Sequence, residues 1–159
     1  MRVALVTTTL LFVGGVSASA SAVEVSREAV IDAAPGRVWQ VMGAFCSISE
    51  WHPVIARCEE QTVDGAPHRR LTTQDGGVLL ERLLDHDNDR MSYSYSIVES
   101  PLPVQGYRST VSVADDGGKA RVTWRSSFEP KGVSGEEAGK IVGGIYDAGL
   151  EALKTKVRP

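Results

Sequence analysis

Ser134-Gly-Glu-Glu-Ala-Gly-Lys-Ile-Val-Gly-Gly-Ile-Tyr-Asp-Ala-Gly-Leu-Glu-Ala-Leu-Lys-Thr-Lys-Val157 reads as one long amphipathic helix. Ser134 followed by Glu137 forms a capping box; acidic residues fill the first turn, and Lys154 and Lys156 the last. Ile141, Ile145, Ala148 and Ala152 share one face, flanked by Val142, Tyr146 and Leu153, and this face is expected to be apolar and inward. Gly143, Gly144 and Gly149 lie inside the helix, where each costs roughly 1 kcal/mol against alanine. Either the helix packs closely on a sheet there, or a ligand lies against a face kept thin.

The residues upstream have the periodicity of strands. Met91-Ser-Tyr-Ser-Tyr-Ser-Ile97 alternates, with Met91, Tyr93, Tyr95 and Ile97 on one side and serines on the other. Tyr107, Ser109, Val111 and Val113 share a face, as do Val122, Trp124, Ser126 and Phe128. Val78 to Asp85, Arg69 to Thr73 and Val54 to Thr62 complete a run of six strands. Asp64-Gly65, Asp75-Gly-Gly77, Asp87-Asn-Asp89 and Asp115-Asp-Gly-Gly118 are the turns between them. Pro101 to Gly106 breaks the alternation and is expected to be a loop. Before the run, Val23 to Ala33 reads as a first strand. Pro35 then opens a short helix carrying Val38, Trp39, Val41, Met42 and Phe45, and Ser47 to Pro53 forms a second. The order is strand, two short helices, six strands and a long helix. This is an α+β chain in which a curved antiparallel sheet wraps one amphipathic helix.

The N-terminus reads differently. Met1-Arg2 precedes a mostly apolar stretch to Val16, then Ser17 to Ala22 offers Ala-x-Ala sites. Residues 1–22 are expected to be a secretory signal peptide and 23–159 a single domain, placed in the periplasm or secreted. No later segment is long and apolar enough to span a bilayer. The formal net charge is -3 over 159 residues, with no basic cluster, which argues against nucleic acid or an anionic membrane as partner. His52, His68 and His86 lack metal-ligand spacing, so neither a metal nor another cofactor is expected. Cys46 and Cys58 have no Cys-x-x-Cys spacing. In an exported chain they are joined as a disulfide or remain two buried thiols.

The segments IDAAPGRVWQVMGAF, EWHPVI and IYDAGLEALK, with the strand-rich middle, resemble the START/Bet v1-like (SRPBCC) superfamily. Within it the chain is most similar to the bacterial polyketide cyclase/dehydrase and lipid-transport-type group. The resemblance spans the whole mature chain and implies a helix-grip fold. In that fold a seven-stranded antiparallel sheet grips the long helix around an apolar cavity. Some exported members of the group are linked to periplasmic methanol oxidation. The chain is also similar to the plant abscisic-acid receptors of the same superfamily. That similarity places His52 where they carry a lysine for a ligand carboxylate, Glu81 at a pocket glutamate, and Tyr107 and Ser109 at a polar wall. The histidine and the bare hairpin at Asp75-Gly-Gly77 set this chain apart from those receptors.

Glu81 shares parity with Leu79 and Leu83 and so points inward, unless the register is slipped and Val78, Leu80 and Leu84 take its place. An inward carboxylate must be paired, hydrated or shifted in pKa. His52 is either a pocket residue or a cap on the Trp51–Pro53 turn. Arg57 is a candidate cation, more in keeping with the surface. Tyr93, Tyr95, Tyr107 and Trp124 form an aromatic stripe, either core or the wall of a cavity. No nucleophile–base–orienter set is evident, although Glu81 and His52 are candidate proton shuttles. The leading expectation is an exported carrier of a small, largely apolar molecule. It would be held by His52, Glu81, Tyr93, Tyr95, Tyr107, Ser109 and Trp124 against Ile141, Ile145 and Gly149. The alternatives are a cyclase or dehydratase using the same cavity, and a periplasmic accessory protein of an oxidoreductase that acts through its surface.

Overall fold

A computed structural model describes residues 22–157. The expected signal peptide lies outside these residues except for Ala22. The chain runs β1 (Val23–Ile31), α1 (Pro35–Met42), α2 (Ile48–Trp51), β2 (Ile55–Val63), β3 (Ala66–Thr73), β4 (Val78–Asp87), β5 (Ser92–Glu99), β6 (Val104–Asp116), β7 (Lys119–Pro130) and α3 (Gly135–Lys156). The strands form one antiparallel sheet in the order β1-β7-β6-β5-β4-β3-β2, curved around α3. This is the helix-grip fold expected.

Local chemistry accounts for most element boundaries. Pro35 starts α1, and the Ser134 hydroxyl accepts from the Glu137 amide at 3.1 Å to start α3. Asp64 and Gly65 both take positive φ, as a tight hairpin turn with right-handed strand twist requires. The 101–106 break is shorter than expected, because β6 already begins at Val104. Gly106, at φ 62°, sits in a shift of register between Gln105 and Arg108, so the irregularity is a bulge inside the strand as well as a loop before it. Further shifts at Leu80/Glu81 and Leu83/Asp85 bend β4. They add curvature to the half of the sheet that ends at β2, on which α2 packs.

The buried face of α3 is rotated from the one expected. Ala138, Val142, Gly143, Tyr146, Gly149, Leu150 and Leu153 are buried, whereas Ile141 is 37% exposed. The physical reason is Tyr146. Its ring stacks on Trp124 at 4.3 Å and its hydroxyl bonds that of Tyr107, which locks the helix about its axis and turns Ile141 outward. Cys46 and Cys58 are joined as a disulfide that ties the α1–α2 connection to β2. Among the described residues no helix is long and apolar enough to cross a membrane.

Candidate functional site

The site is the space between the concave sheet and α3. A cavity of about 460 Å³ lies there. Its walls come from β3 (Leu71), β4 (Leu79, Glu81), β5 (Tyr95), β6 (Tyr107) and α3 (Val142, Ile145, Tyr146). Alternation puts these strand residues on one face, and the bends in β4 carry that face around the helix. The cavity opens between the β3–β4 turn, at Asp75 to Gly77, and the β5–β6 loop, at Pro101 and Leu102. The two segments are neighbours: a Cβ on Gly77 would stand 3.7 Å from Pro101 Cγ.

Glu81 points inward and is 4% exposed, which settles its register. Its partner is Arg69, directly opposite on β3 and fully buried. Arg69 Nε donates to Glu81 Oε2 at 2.6 Å, and Arg69 Nη1 donates to the Phe45 carbonyl. The guanidinium lies 4.1 Å from the Phe45 ring centroid and 5.0 Å from that of Tyr95. Burial pushes Arg69 down most strongly of any one cause; the charge and hydrogen bond of Glu81, together with Tyr93 and Tyr95, outweigh it and raise Arg69 above the ordinary arginine value. Arg69 was not singled out from sequence, and Arg57, the candidate cation, is an exposed partner of Glu59. A usable signal was present. In the hairpin whose loop is Gln74 to Gly76, residues equidistant from Asp75 face each other, and this sets Arg69 against Glu81; a turn centred one residue later, on Gly76, would set Leu71 there instead.

His52 is buried at the C-terminal end of α2. Its Nδ1 accepts from the Val54 amide at 3.3 Å, which leaves Nε2 as the protonated nitrogen donating to the Ile145 carbonyl at 3.0 Å. Burial pushes its pKa down to about 4; the hydrogen bond to Ile145 opposes this and the Arg69 charge adds to it. At neutral pH the ring is therefore uncharged with both nitrogens engaged. His52 is thus both a turn cap and a cavity wall. No hydrogen bond joins it to Glu81, the other candidate proton shuttle, although both line the cavity.

The aromatic stripe divides. Tyr95, Tyr107 and Trp124 line the cavity. Trp124 Nε1 donates to the Tyr95 hydroxyl and to Ser109 Oγ, each at 3.1 Å. Tyr107 and Tyr146 share a hydrogen bond between their hydroxyls. Burial raises Tyr95 and Tyr107 well above the usual tyrosine range and raises Tyr146 as well, so all three remain protonated donors.

Four expected contact residues lie elsewhere. Tyr93 packs under α1 against Trp39, Phe45 and His86, because one pleat repeat along β5 carries it past the cavity floor. Ser109 is buried behind Trp124, with its hydroxyl donated to the Arg125 carbonyl at 2.9 Å. Ile141 faces outward. Gly149 is covered by His52 and Trp124, so of its two readings the structure has close packing. Ile145 does line the cavity, next to Val142 and Tyr146, whose place in the wall sequence periodicity had assigned to the helix flank. Among the described residues no group of three or more His, Cys, Asp or Glu side chains is placed to hold a metal ion.

The comparisons with known proteins agree with this geometry. A family model described as polyketide cyclase/dehydrase and lipid transport matches residues 22–158. The structure of the protein XoxI from Bacillus cereus is similar at 34% identity with a TM-score of 0.79, over 85% of this chain and 95% of that one. An uncharacterised protein from Bacillus thuringiensis is similar at 34% identity and a TM-score of 0.78, over 84% of this chain and 98% of its own. The ZhuI aromatase/cyclase from a Streptomyces strain has a TM-score of 0.70 over 86% of this chain and 94% of that one; at 15% identity it shares the fold alone. No curated protein matches the chain in sequence.

Proposed function

This chain belongs to the polyketide cyclase/dehydrase and lipid transport family, and from that premise we propose that it is an exported carrier of a small, largely apolar molecule held between the sheet and α3. The observation that carries this reading is the cavity of about 460 Å³, walled by apolar side chains with a few convergent polar groups. Small-molecule sites occupy roughly 300–1,000 Å³ with that kind of lining. Export rests on residues 1–22, whose charge, apolar run and Ala-x-Ala sites have the form of a secretory signal. Glu81, Tyr95, Tyr107 and Tyr146 supply polar contacts; Leu71, Leu79, Val142 and Ile145 supply the apolar ones.

Carrier is preferred to enzyme because the two candidate proton shuttles, His52 and Glu81, are each already held by hydrogen bonds to the protein. His52 is uncharged with both nitrogens engaged, and Tyr95, Tyr107 and Tyr146 are raised. Glu81 is committed to Arg69 through one oxygen. A cyclase or dehydratase acting through His52 and Glu81 would first have to break these bonds. A surface-acting accessory protein calls for a filled interior, and the cavity weighs against it.

The test is native mass spectrometry of the mature protein purified from the periplasm, compared with its denatured mass. An extra mass that leaves on denaturation is expected, with retention weakened by Tyr107→Phe. A bare mass, persisting after exposure to cell extract, would overturn the carrier reading.

A further inference from the structure

Resting on the carrier reading, we infer that the ligand is a hydrogen-bond donor, neutral or cationic, that places a hydroxyl or amine against Glu81, and that carboxylates are excluded. The argument is one of charge and of committed atoms. The ionisable side chains lining the cavity are His52, Asp75, Glu81 and the protonated phenols Tyr95, Tyr107 and Tyr146; among the described residues no lysine or arginine lines it. Asp75 stands at the mouth and Glu81 in the wall. His52 contributes no charge and no free ring nitrogen.

The nearby cation, Arg69, is not part of the lining. Its Nε and Nη1 are directed to Glu81 Oε2 and the Phe45 carbonyl, and its face is covered by Phe45 and Tyr95. The buried pair is thus oriented with its negative end towards the cavity and its positive end behind the wall. Glu81 Oε2 is the oxygen used by Arg69; Oε1 takes no hydrogen bond from the described residues and remains an acceptor, while the third nitrogen of the guanidinium, Nη2, is buried behind the wall without a partner. A ligand hydroxyl or ammonium reaching Oε1 would form a charge-assisted hydrogen bond. A ligand carboxylate there would meet a like charge in a desolvated site with no lining cation to offset it.

Three probes on one ring test this by isothermal titration calorimetry at neutral pH: 2-naphthol, 2-methoxynaphthalene and 2-naphthoate. We expect 2-naphthol to bind about tenfold or more tightly than 2-methoxynaphthalene, which keeps the ring and oxygen but lacks the donor, and 2-naphthoate to bind weakest. In Glu81→Gln the gap between naphthol and naphthoate should narrow. Should that variant fail to fold, the wild-type ranking decides by itself. Naphthoate binding as tightly as naphthol overturns charge exclusion, and methoxynaphthalene matching naphthol overturns the donor requirement; in both cases the carrier reading stands. Binding of none of the three overturns the carrier reading for this ring size and the inference with it.

Discussion

Gly149 on α3 lies directly against the ring of His52: a Cβ at position 149 would stand 2.5 Å from His52 Cδ2 and 3.1 Å from Trp124 Cζ3. The helix carries a glycine there because the imidazole has to reach the Ile145 carbonyl one turn earlier. Neither ring can swing away freely, since both are buried and His52 is held at both nitrogens. Gly144, one position before Ile145, has nothing within 4 Å of an added Cβ. Two glycines of the same helix thus make opposite predictions. Gly144→Ala should stabilise the protein by about 1 kcal/mol through helix propensity. Gly149→Ala should destabilise it by roughly 1–3 kcal/mol through overpacking, despite the same propensity gain. Urea denaturation of the two variants checks both signs.

His52 also predicts a pH dependence. Its folded pKa, about 4, lies below the ordinary histidine value of 6.5. The unfolded chain therefore binds a proton that the folded chain refuses between these two values. The contribution is fully present above about pH 6.5 and is lost as pH falls towards 4, by up to about 3 kcal/mol. Carboxylates add to any acid loss below pH 5, so the decisive measurement is the difference from His52→Gln. That variant should show a shallower loss of stability across the window; an identical slope would remove His52 as its cause.

The Arg69–Glu81 pair should behave as a coupled unit. Removing one partner leaves the other charge buried, so Arg69→Met or Glu81→Leu is each expected to cost roughly 3–5 kcal/mol. The double variant buries no charge and should recover much of that loss. Its double-mutant cycle, read from denaturation midpoints, should give a coupling well above about 1 kcal/mol. Additive effects would show that the pair contributes no mutual stabilisation.

The disulfide closes a loop with a sequence separation of 12 between Cys46 and Cys58. Its loss in Cys46→Ser/Cys58→Ser should cost about 3 kcal/mol in the chain-entropy account. Phe45, next to Cys46, gives Arg69 its carbonyl acceptor and covers the guanidinium with its ring. The variant should therefore also lose affinity for a ligand that contacts Glu81, beyond what its lower stability explains. Titration at a temperature where the variant remains folded separates the two effects.

Much of the architecture was legible because it is local. The capping box at Ser134, the proline at the start of α1 and the alternation of Tyr93, Tyr95, Val111, Val113, Val122 and Trp124 each state an element and an inward face within a few residues. The inward turn of Glu81 followed from the same alternation. Alternation says which side of the sheet a residue takes, but not how far along the strand the cavity reaches. Tyr93 and Ser109 are inward and yet outside the cavity for that reason.

By itself the sequence determined the order of elements, the inward faces of the strands and the presence of a carboxylate among apolar neighbours, since pleat and helix periods are properties of consecutive residues. The tertiary structure decided the rest. Stacking of Tyr146 on Trp124 chose the rotation of α3 and turned Ile141 outward. Pairing across the β3–β4 hairpin gave Glu81 its partner in Arg69. The approach of α2 to α3 held His52 uncharged against Ile145 and Gly149. These are contacts between residues far apart in the chain or on separate strands, and their energies come from burial and close packing, which no local period encodes.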